Sequence, residues 1–266
     1  MAYVEPSEID SSVPQSARIW NYWLGGKDNY EADRAAGDAV LAQIPDIPDG
    51  ARAERAFLIR VVRYLVAECG IRQFLDVGTG LPTLNNTHEV AQAMDPTCRI
   101  VYVDNDPIVM AHARALLVGT PEGATAYLHA DLREPDAILD AAKHTLDFDQ
   151  PVGLMLLGVV NHLMDDEEAY GSVARLVSAL APGSMMALTH STAEVHGEPM
   201  LRVMRETTER GGTPIRARDR SEIARFFDGM ELLEPGVVSC SRWRPDAPDV
   251  GEVREVYLFG GVGRIG

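Results

Sequence analysis

Three aspartates and two histidines stand where residues of their type could do chemistry. Asp76 follows the apolar run Phe74-Leu75 and lies two residues before the first glycine of Asp76-Val77-Gly78-Thr79-Gly80. Glycines in such a turn let the backbone approach a ligand closely, because no side chain intervenes. Asp104 closes Val101-Tyr102-Val103 and lies 24 residues past Gly80. That is close to the spacing of about 20 expected of a carboxylate accepting from ribose hydroxyls. Asp131 closes a third run, in His129-Ala130-Asp131-Leu132, where it is placed to accept from an adenine amino group. The aspartates succeed one another at spacings of 28 and 27 residues, one strand–helix unit each. Singly, each reads as an ordinary turn or cap residue; their regular repeat points to a nucleotide-type site beyond the carboxyl ends of parallel strands.

The turn departs from the dinucleotide fingerprint. Gly78 and Gly80 supply G-x-G, but position 83, where the third glycine belongs, is Thr. A carboxylate at Asp76 is also poorly placed beside a pyrophosphate and well placed beside an ammonium or a sulfonium. For proton transfer the candidates are His162, after the apolar run ending Val159-Val160, and His190, after Ala187-Leu188-Thr189. Each has a competing structural reading as a satisfied, partly buried histidine. His162 is preferred over His190, and His88 is a weaker third.

These residues need strands that end together. The apolar pattern predicts strands over 73–77, 99–103, 125–129, within 151–160 and over 184–190. Helices are expected over 86–94, 107–117, 134–144 and 166–180. That rhythm argues for a doubly wound, mostly parallel sheet. The continuous apolar run 151–160 suits a strand buried on both faces. Helices over 198–210 and 219–227 precede two strands, 231–239 and 253–262, with Gly236–Trp243 and Glu252–Phe259 as a terminal antiparallel pair. Before the sheet come a polar tail, a short helix ending at Gly25-Gly26, and helices over Glu31–Gln43 and Ala51–Glu68. The last should bury Phe57, Val61, Tyr64 and Leu65 on one face. The domain reading is a tail and helical cap over residues 1–70 and a core over 71–266, forming one structural unit.

Composition bounds the function. The 266 residues are 46% apolar with a net charge of −16, a balance that favours a globular core and solubility. It argues against nucleic acid or anionic membrane as a partner, since both call for clustered Lys and Arg. Cys69, Cys98 and Cys240 are scattered and odd in number, which reads as reduced thiols in a cytoplasmic protein and not as a metal site. The first residues carry no signal-peptide pattern, and no apolar run reaches the roughly 18–20 residues of a membrane span. Asp165-Asp166-Glu167-Glu168 suits a helix N-terminus, where acids favour the dipole. Arg216-Ala217-Arg218-Asp219-Arg220 reads as a solvated face, with recognition of an anionic group as the alternative. Gly25-Gly26-Lys27 lacks the remainder of a phosphate loop.

The acidic residue and G-x-G turn resemble the class I S-adenosylmethionine-dependent methyltransferases. Trp20-Asn21-Tyr22-Trp23-Leu24-Gly25-Gly26-Lys27-Asp28-Asn29-Tyr30, taken with Gln73–Thr83 and Val101–Pro107, is similar to an actinobacterial methyltransferase family of unassigned substrate (DUF574-like). The similarity covers the chain from about residue 15. It implies a Rossmann-like fold with a seven-stranded sheet, an antiparallel C-terminal strand, N-terminal capping helices and S-adenosyl-L-methionine as cofactor. It implies that Asp76, Gly78, Thr79 and Gly80 face the methionine portion, with Gly158 after the fourth strand. Asp104 and Asn105 would then face the ribose, and Asp131 and Leu132 the adenine. The aromatic segment becomes a lid in which Tyr22, Gly26, Lys27, Asn29 or Tyr30 touches the cofactor; the bland alternative is that Trp20 and Trp23 anchor the arm by burial. The loop after the fourth strand would face the transferring methyl, which favours His162.

The implied activity is methyl transfer to an oxygen or nitrogen nucleophile of a small molecule. An in-line displacement from a sulfonium chiefly needs alignment and exclusion of water. The competing readings are an NAD(P)-dependent oxidoreductase and a non-catalytic S-adenosylmethionine-binding regulatory module. Acceptor and oligomeric state stay open.

Overall fold

In the computed structural model, residues 10–109, 119–246 and 253–266 are described. Helices α1 (Ser16–Trp23), α2 (Glu31–Leu41) and α3 (Ile47–Ala67) precede the sheet. Strand β1 (Gln73–Val77), helix α4 (Thr87–Met94), β2 (Arg99–Asp104) and β3 (Ala124–His129) follow. Then come α5 (Pro135–Ala142), β4 (Gly153–Leu157), α6 (Asp166–Val177) and β5 (Met185–Ser191). The chain closes with α7 (Glu198–Glu209), α8 (Arg220–Ala224), the short β6 (Glu231–Leu232) and β7 (Val238–Ser239), and β8 (Leu258–Arg264). Most of the helix expected at 107–117 lies outside the described residues.

The spatial order is β3-β2-β1-β4-β5-β8-β6, with β7 also paired to β8. Strands β1 to β5 run parallel and β8 is antiparallel to β5. Strand alternation splits the apolar residues between two cores. Phe74, Ile100, Tyr102, Met155 and Ala187 face Phe57, Val61 and Leu65 of α3, with Val90 of α4 and Met200 of α7 in the same cluster. Leu75, Val101, Leu154, Leu156 and Leu188 belong to the other cluster, with Ile138 of α5 and Val173 of α6. A parallel sheet covered on both faces explains why its strands read as nearly continuous apolar runs. It is the doubly wound, Rossmann-like arrangement the strand rhythm implies.

Several boundaries differ from expectation. Helix α3 starts at Ile47 and not Ala51, because Pro48 sits in the first turn, where its missing N–H costs nothing. The run 151–160 shortens to β4, since Gly158 turns at φ +64° and Val160–His162 form a 3-10 turn. The expected strand 231–239 splits into β6 and β7 around Pro235 and Gly236, so eight strands stand where seven were expected. The terminal pair is reduced to Val238 and Ser239 against Gly260 and Phe259. Strand β8 lies later than expected and pairs chiefly with β5. A Cβ on Gly260 would run into the Leu188 carbonyl, so glycine permits this close approach. Among the described residues no helix is long and apolar enough to cross a membrane.

Candidate active site

A cavity of about 470 Å³ opens at the carboxyl ends of the parallel strands, beneath α1 and α2. Asp76, Gly78, Thr79 and Gly80 line it after β1, Asp104 and Asn105 after β2, Asp131 and Leu132 after β3, and Gly158 and His162 after β4. The structure thus gathers these sequence-predicted residues around one space.

Backbone bonds hold the glycine turn. The N–H groups of Gly78 and Thr79 both donate to the Val103 carbonyl, at 2.8 and 3.3 Å, and Thr79 Oγ1 donates to it at 3.1 Å. Gly78 has φ +77°, and a Cβ there would collide with Val159. Both the backbone conformation and the packing therefore require glycine. Gly80 N–H donates to Asp104 Oδ2 at 2.8 Å and Asp106 N–H to Oδ1 at 2.9 Å. Burial raises the Asp104 pKa, while these two N–H donors favour its charged form. Asp76 is buried and accepts from Thr87 Oγ1 at 2.6 Å. Burial lifts its pKa to about 6 against the opposing pull of Thr87 and Arg55. Asp131 accepts from Asn105 Nδ2 at 2.9 Å and pairs with Arg133 at 3.0 Å. Partial burial raises its pKa, but the Arg133 N–H, the Asn105 amide and the Arg133 guanidinium together bring it below the ordinary carboxylate value.

The two histidines separate. His162 lines the cavity, with Nδ1 2.9 Å from the Pro214 carbonyl. That bond places the proton on Nδ1 and leaves Nε2 as an acceptor. Burial lowers the His162 pKa, and the nearby Arg133 charge lowers it further. His190, in contrast, is fully buried and does not line the cavity. Its ring nitrogens lie 2.9 Å from the Ser191 carbonyl and 2.7 Å from Arg218 Nη1, and its pKa is driven to about 3, chiefly by burial. The expectation that His190 acts as a base is therefore corrected: both nitrogens serve the core. His88 is likewise buried, bonded to Tyr102 Oη at 2.9 Å.

The aromatic segment also needs correction. Ser16, Ala17, Trp20, Trp23 and Leu24 line the cavity; Tyr22, Gly26, Lys27 and Tyr30 do not. Positions 16, 20, 23 and 24 share one helix face, whereas Tyr22 lies on the opposite side. Tyr22 Oη donates to Asp38 at 2.7 Å, and Gly26 lies close against the Asn21 side chain. Lys27 and Tyr30 are exposed. Asn29, the remaining residue suggested for the lid, bonds Asn21 and the Gly26 carbonyl and is also outside the lining. Buried Arg18, on the rear face of α1, pairs with buried Asp33 at 3.2 Å and ties α1 to α2.

Some charged residues have roles that local pattern hid. Asp165 Oδ1 accepts from Glu168 N–H at 2.9 Å, as an N-cap should. Arg218, expected on a solvated face, is instead buried, bonded to Asp166 and the Leu163 carbonyl as well as His190. Glu54 of α3 was missed altogether. It is buried, lines the cavity and accepts from Thr189 Oγ1, which in turn accepts from Gly158 N–H at 2.9 Å. Burial raises the Glu54 pKa to about 7, outweighing the Thr189 bond and the Arg55 charge. Its available signal was position: Glu54 lies three residues before Phe57 and seven before Val61, on the buried stripe of α3. Among the described residues no cluster of three or more His, Cys, Asp or Glu could hold a metal.

Comparison with known proteins bears on this arrangement. A family model described as S-adenosyl methyltransferase matches residues 2–266. A DUF574 family protein from Streptomyces avermitilis MA-4680 is 44% identical, with a TM-score of 0.92, over 97% of this chain and 99% of that one. A candidate methyltransferase from Thermobifida fusca YX is 40% identical, with a TM-score of 0.88, over 99% of each chain. The N-methyltransferase NodS from Bradyrhizobium japonicum WM9, in complex with S-adenosyl-L-homocysteine, is 12% identical. It aligns with a TM-score of 0.51 over 93% of this chain and 98% of that one, a likeness of fold. No curated protein matches the chain.

Proposed function

The chain belongs to the S-adenosyl methyltransferase family, and on that footing we propose that it moves the methyl group of S-adenosyl-L-methionine to an oxygen or nitrogen of a small-molecule acceptor. The observation that carries this reading is the convergence of Asp76, Asp104 and Asp131, from three adjacent strands, on the cavity that also contains the Gly78–Gly80 turn. These residues fit the cofactor chemically. Asp104 has acceptor capacity for two ribose hydroxyls beyond the N–H bonds it already makes. Asp131 and Leu132 offer an acceptor and an apolar contact to the adenine, and Asp76 offers a carboxylate to the cationic methionine end. When bound, the cofactor supplies an electrophilic methyl carbon on a positively charged sulfur.

The remaining task of the protein is alignment and exclusion of water. Trp20, Trp23 and Leu24 of the N-terminal segment cover the cavity, which supports a lid formed by residues 16–24. A volume of about 470 Å³ suits a cofactor with a compact acceptor. His162 faces the same end as Arg133, the neighbour of Asp131. We assign it to holding the Pro214 segment at the cavity wall. The family match gives no support to an NAD(P)-dependent oxidoreductase.

Calorimetry with S-adenosylmethionine and S-adenosylhomocysteine tests the cofactor site. Wild-type protein should bind both, and Asp104→Ala should lose on the order of 2–3 kcal/mol of affinity, as for charge-assisted hydrogen bonds. Unchanged affinity in the variant would remove Asp104 from the site.

A further inference from the structure

The cavity has a second half that the cofactor residues do not use. In the sheet, β1, β2 and β3 supply the aspartates, whereas β4, β5 and β8 form the other side. Over that side the lining is largely apolar, with Trp20, Trp23, Val40, Met200, Met204 and Ile215. Glu54, beside Arg55 on the same helix, is the carboxylate at this end among the described residues. A Cβ built on Gly158, at the tip of β4, would lie 3.2 Å from Glu54 Oε1 and 3.5 Å from Oε2. The carboxylate therefore lies against the Gly158 turn at the end of β4, anchored to β5 through Thr189. Its Oε2 makes no hydrogen bond among the described residues, leaving that oxygen free to accept a proton. Two buried polar atoms of the lining, Tyr257 Oη and Asn161 Oδ1, have no hydrogen-bond partner among the described residues.

Resting on the methyltransferase reading above, we infer that Glu54 is the general base and that the acceptor is a small, largely apolar phenol whose hydroxyl meets the Glu54 carboxylate. The apolar wall favours an aromatic body, since Trp and Met side chains pack well against rings. The choice of hydroxyl follows from proton affinity. A base poised near neutrality is matched to a phenol of pKa about 10, where the remaining gap closes as the oxygen attacks. An aliphatic alcohol is too weak an acid for such a base. An amine would enter as an ammonium and lose its hydration in an apolar chamber.

In the step, Glu54 Oε2 takes the hydroxyl proton while a lone pair of the phenolic oxygen forms the new C–O bond to the methyl carbon. The C–S bond breaks and its electron pair returns to sulfur, giving the aryl methyl ether and S-adenosylhomocysteine. Glu54 then releases the proton to water as product leaves. The charged and titratable groups facing Glu54 are Arg55 on its own helix, Tyr257 before β8 and Cys240 after β7. Burial raises the Cys240 thiol and the Tyr257 hydroxyl well above their ordinary values, so neither titrates where Glu54 does.

The test offers 4-methylphenol, cyclohexylmethanol and benzylamine to the protein with S-adenosylmethionine, with product read by mass spectrometry. Calorimetry with S-adenosylhomocysteine and tryptophan quenching by 4-methylphenol accompany it. Wild type should methylate the phenol, and kcat/KM should rise with pH through an apparent pKa near about 7. Glu54→Gln should bind S-adenosylhomocysteine and the phenol normally, lose at least about 100-fold in kcat, and lose that acid limb. Thr189→Val, which removes a bond favouring the carboxylate, should move the limb to higher pH. A wild-type rate in Glu54→Gln, or a limb below 6.5 that disappears in His162→Gln, would overturn the base assignment. Methylation of the alcohol or amine in preference to the phenol, or of none of the three by a protein that binds the cofactor, would overturn the acceptor class. Failure of wild type to bind S-adenosylhomocysteine would instead overturn the methyltransferase reading and this inference with it.

Discussion

The two halves of the cavity are built by different rules. The half we propose for the cofactor takes Asp76, Asp104 and Asp131 from the ends of β1, β2 and the β3 turn, so its parts recur at one strand–helix interval. The half we propose for the acceptor joins Glu54 of α3, which Thr189 of β5 holds from behind, with Tyr257 before β8 and Met200 of α7, while Gly158 after β4 lies against Glu54 between the two halves. No sequence interval relates these residues. They meet because the sheet order places β4, β5 and β8 side by side and α3 packs across them. The first arrangement leaves a periodic local motif in the sequence, whereas the second exists only in tertiary contacts.

Substitutions can sharpen that contrast. The largest stability effect is expected outside both halves, at Arg218→Met, because His190, the Leu163 carbonyl and half-exposed Asp166 would each lose a partner. A loss of about 3 kcal/mol in urea unfolding is expected, with S-adenosylhomocysteine affinity retained in the folded fraction. A comparable loss of affinity instead would place the arginine within the functional cavity. Next comes a pH effect on the acceptor half. The Glu54 carboxyl holds its proton more tightly folded than unfolded, so its contribution is fully present below about pH 4.5 and is lost as pH rises through about 7. Relative to wild type, Glu54→Gln should therefore gain stability progressively over that window, by a few kcal/mol at pH 8. Equal pH dependence in the two proteins would contradict the shift. The smallest effect is predicted for Tyr22→Phe. It removes an exposed bond to Asp38 and touches neither half, so stability should change by less than about 0.5 kcal/mol and cofactor affinity not at all.

The same division explains what could be read in the sequence. The parallel core and the three strand-end aspartates were legible, because two-faced burial and a repeated βα interval leave a local signature. That residues 16–24 bear on the cavity was legible for the segment but not by residue: a helix shows one face to the cavity, and Tyr22 is on the other. His190 looked like a strand-end functional group until Arg218, 28 residues further on, claimed its second nitrogen. Glu54 was hidden for the opposite reason. An acid within an amphipathic helix reads as a surface residue unless its phase against Phe57 and Val61 is weighed. The split of β6 from β7 turns on Pro235 and Gly236, and the glycine-rich β8 follows from close backbone approach, as at Gly260.

A crystal structure of the protein with S-adenosylhomocysteine and 4-methylphenol tests the two-half cavity most directly. The ribose should hydrogen-bond Asp104, the adenine should lie beside Asp131 and Leu132, and the phenolic oxygen should sit between the sulfur and Glu54. A nucleoside bound away from Asp104, or a phenol with its hydroxyl turned away from Glu54, would contradict the account.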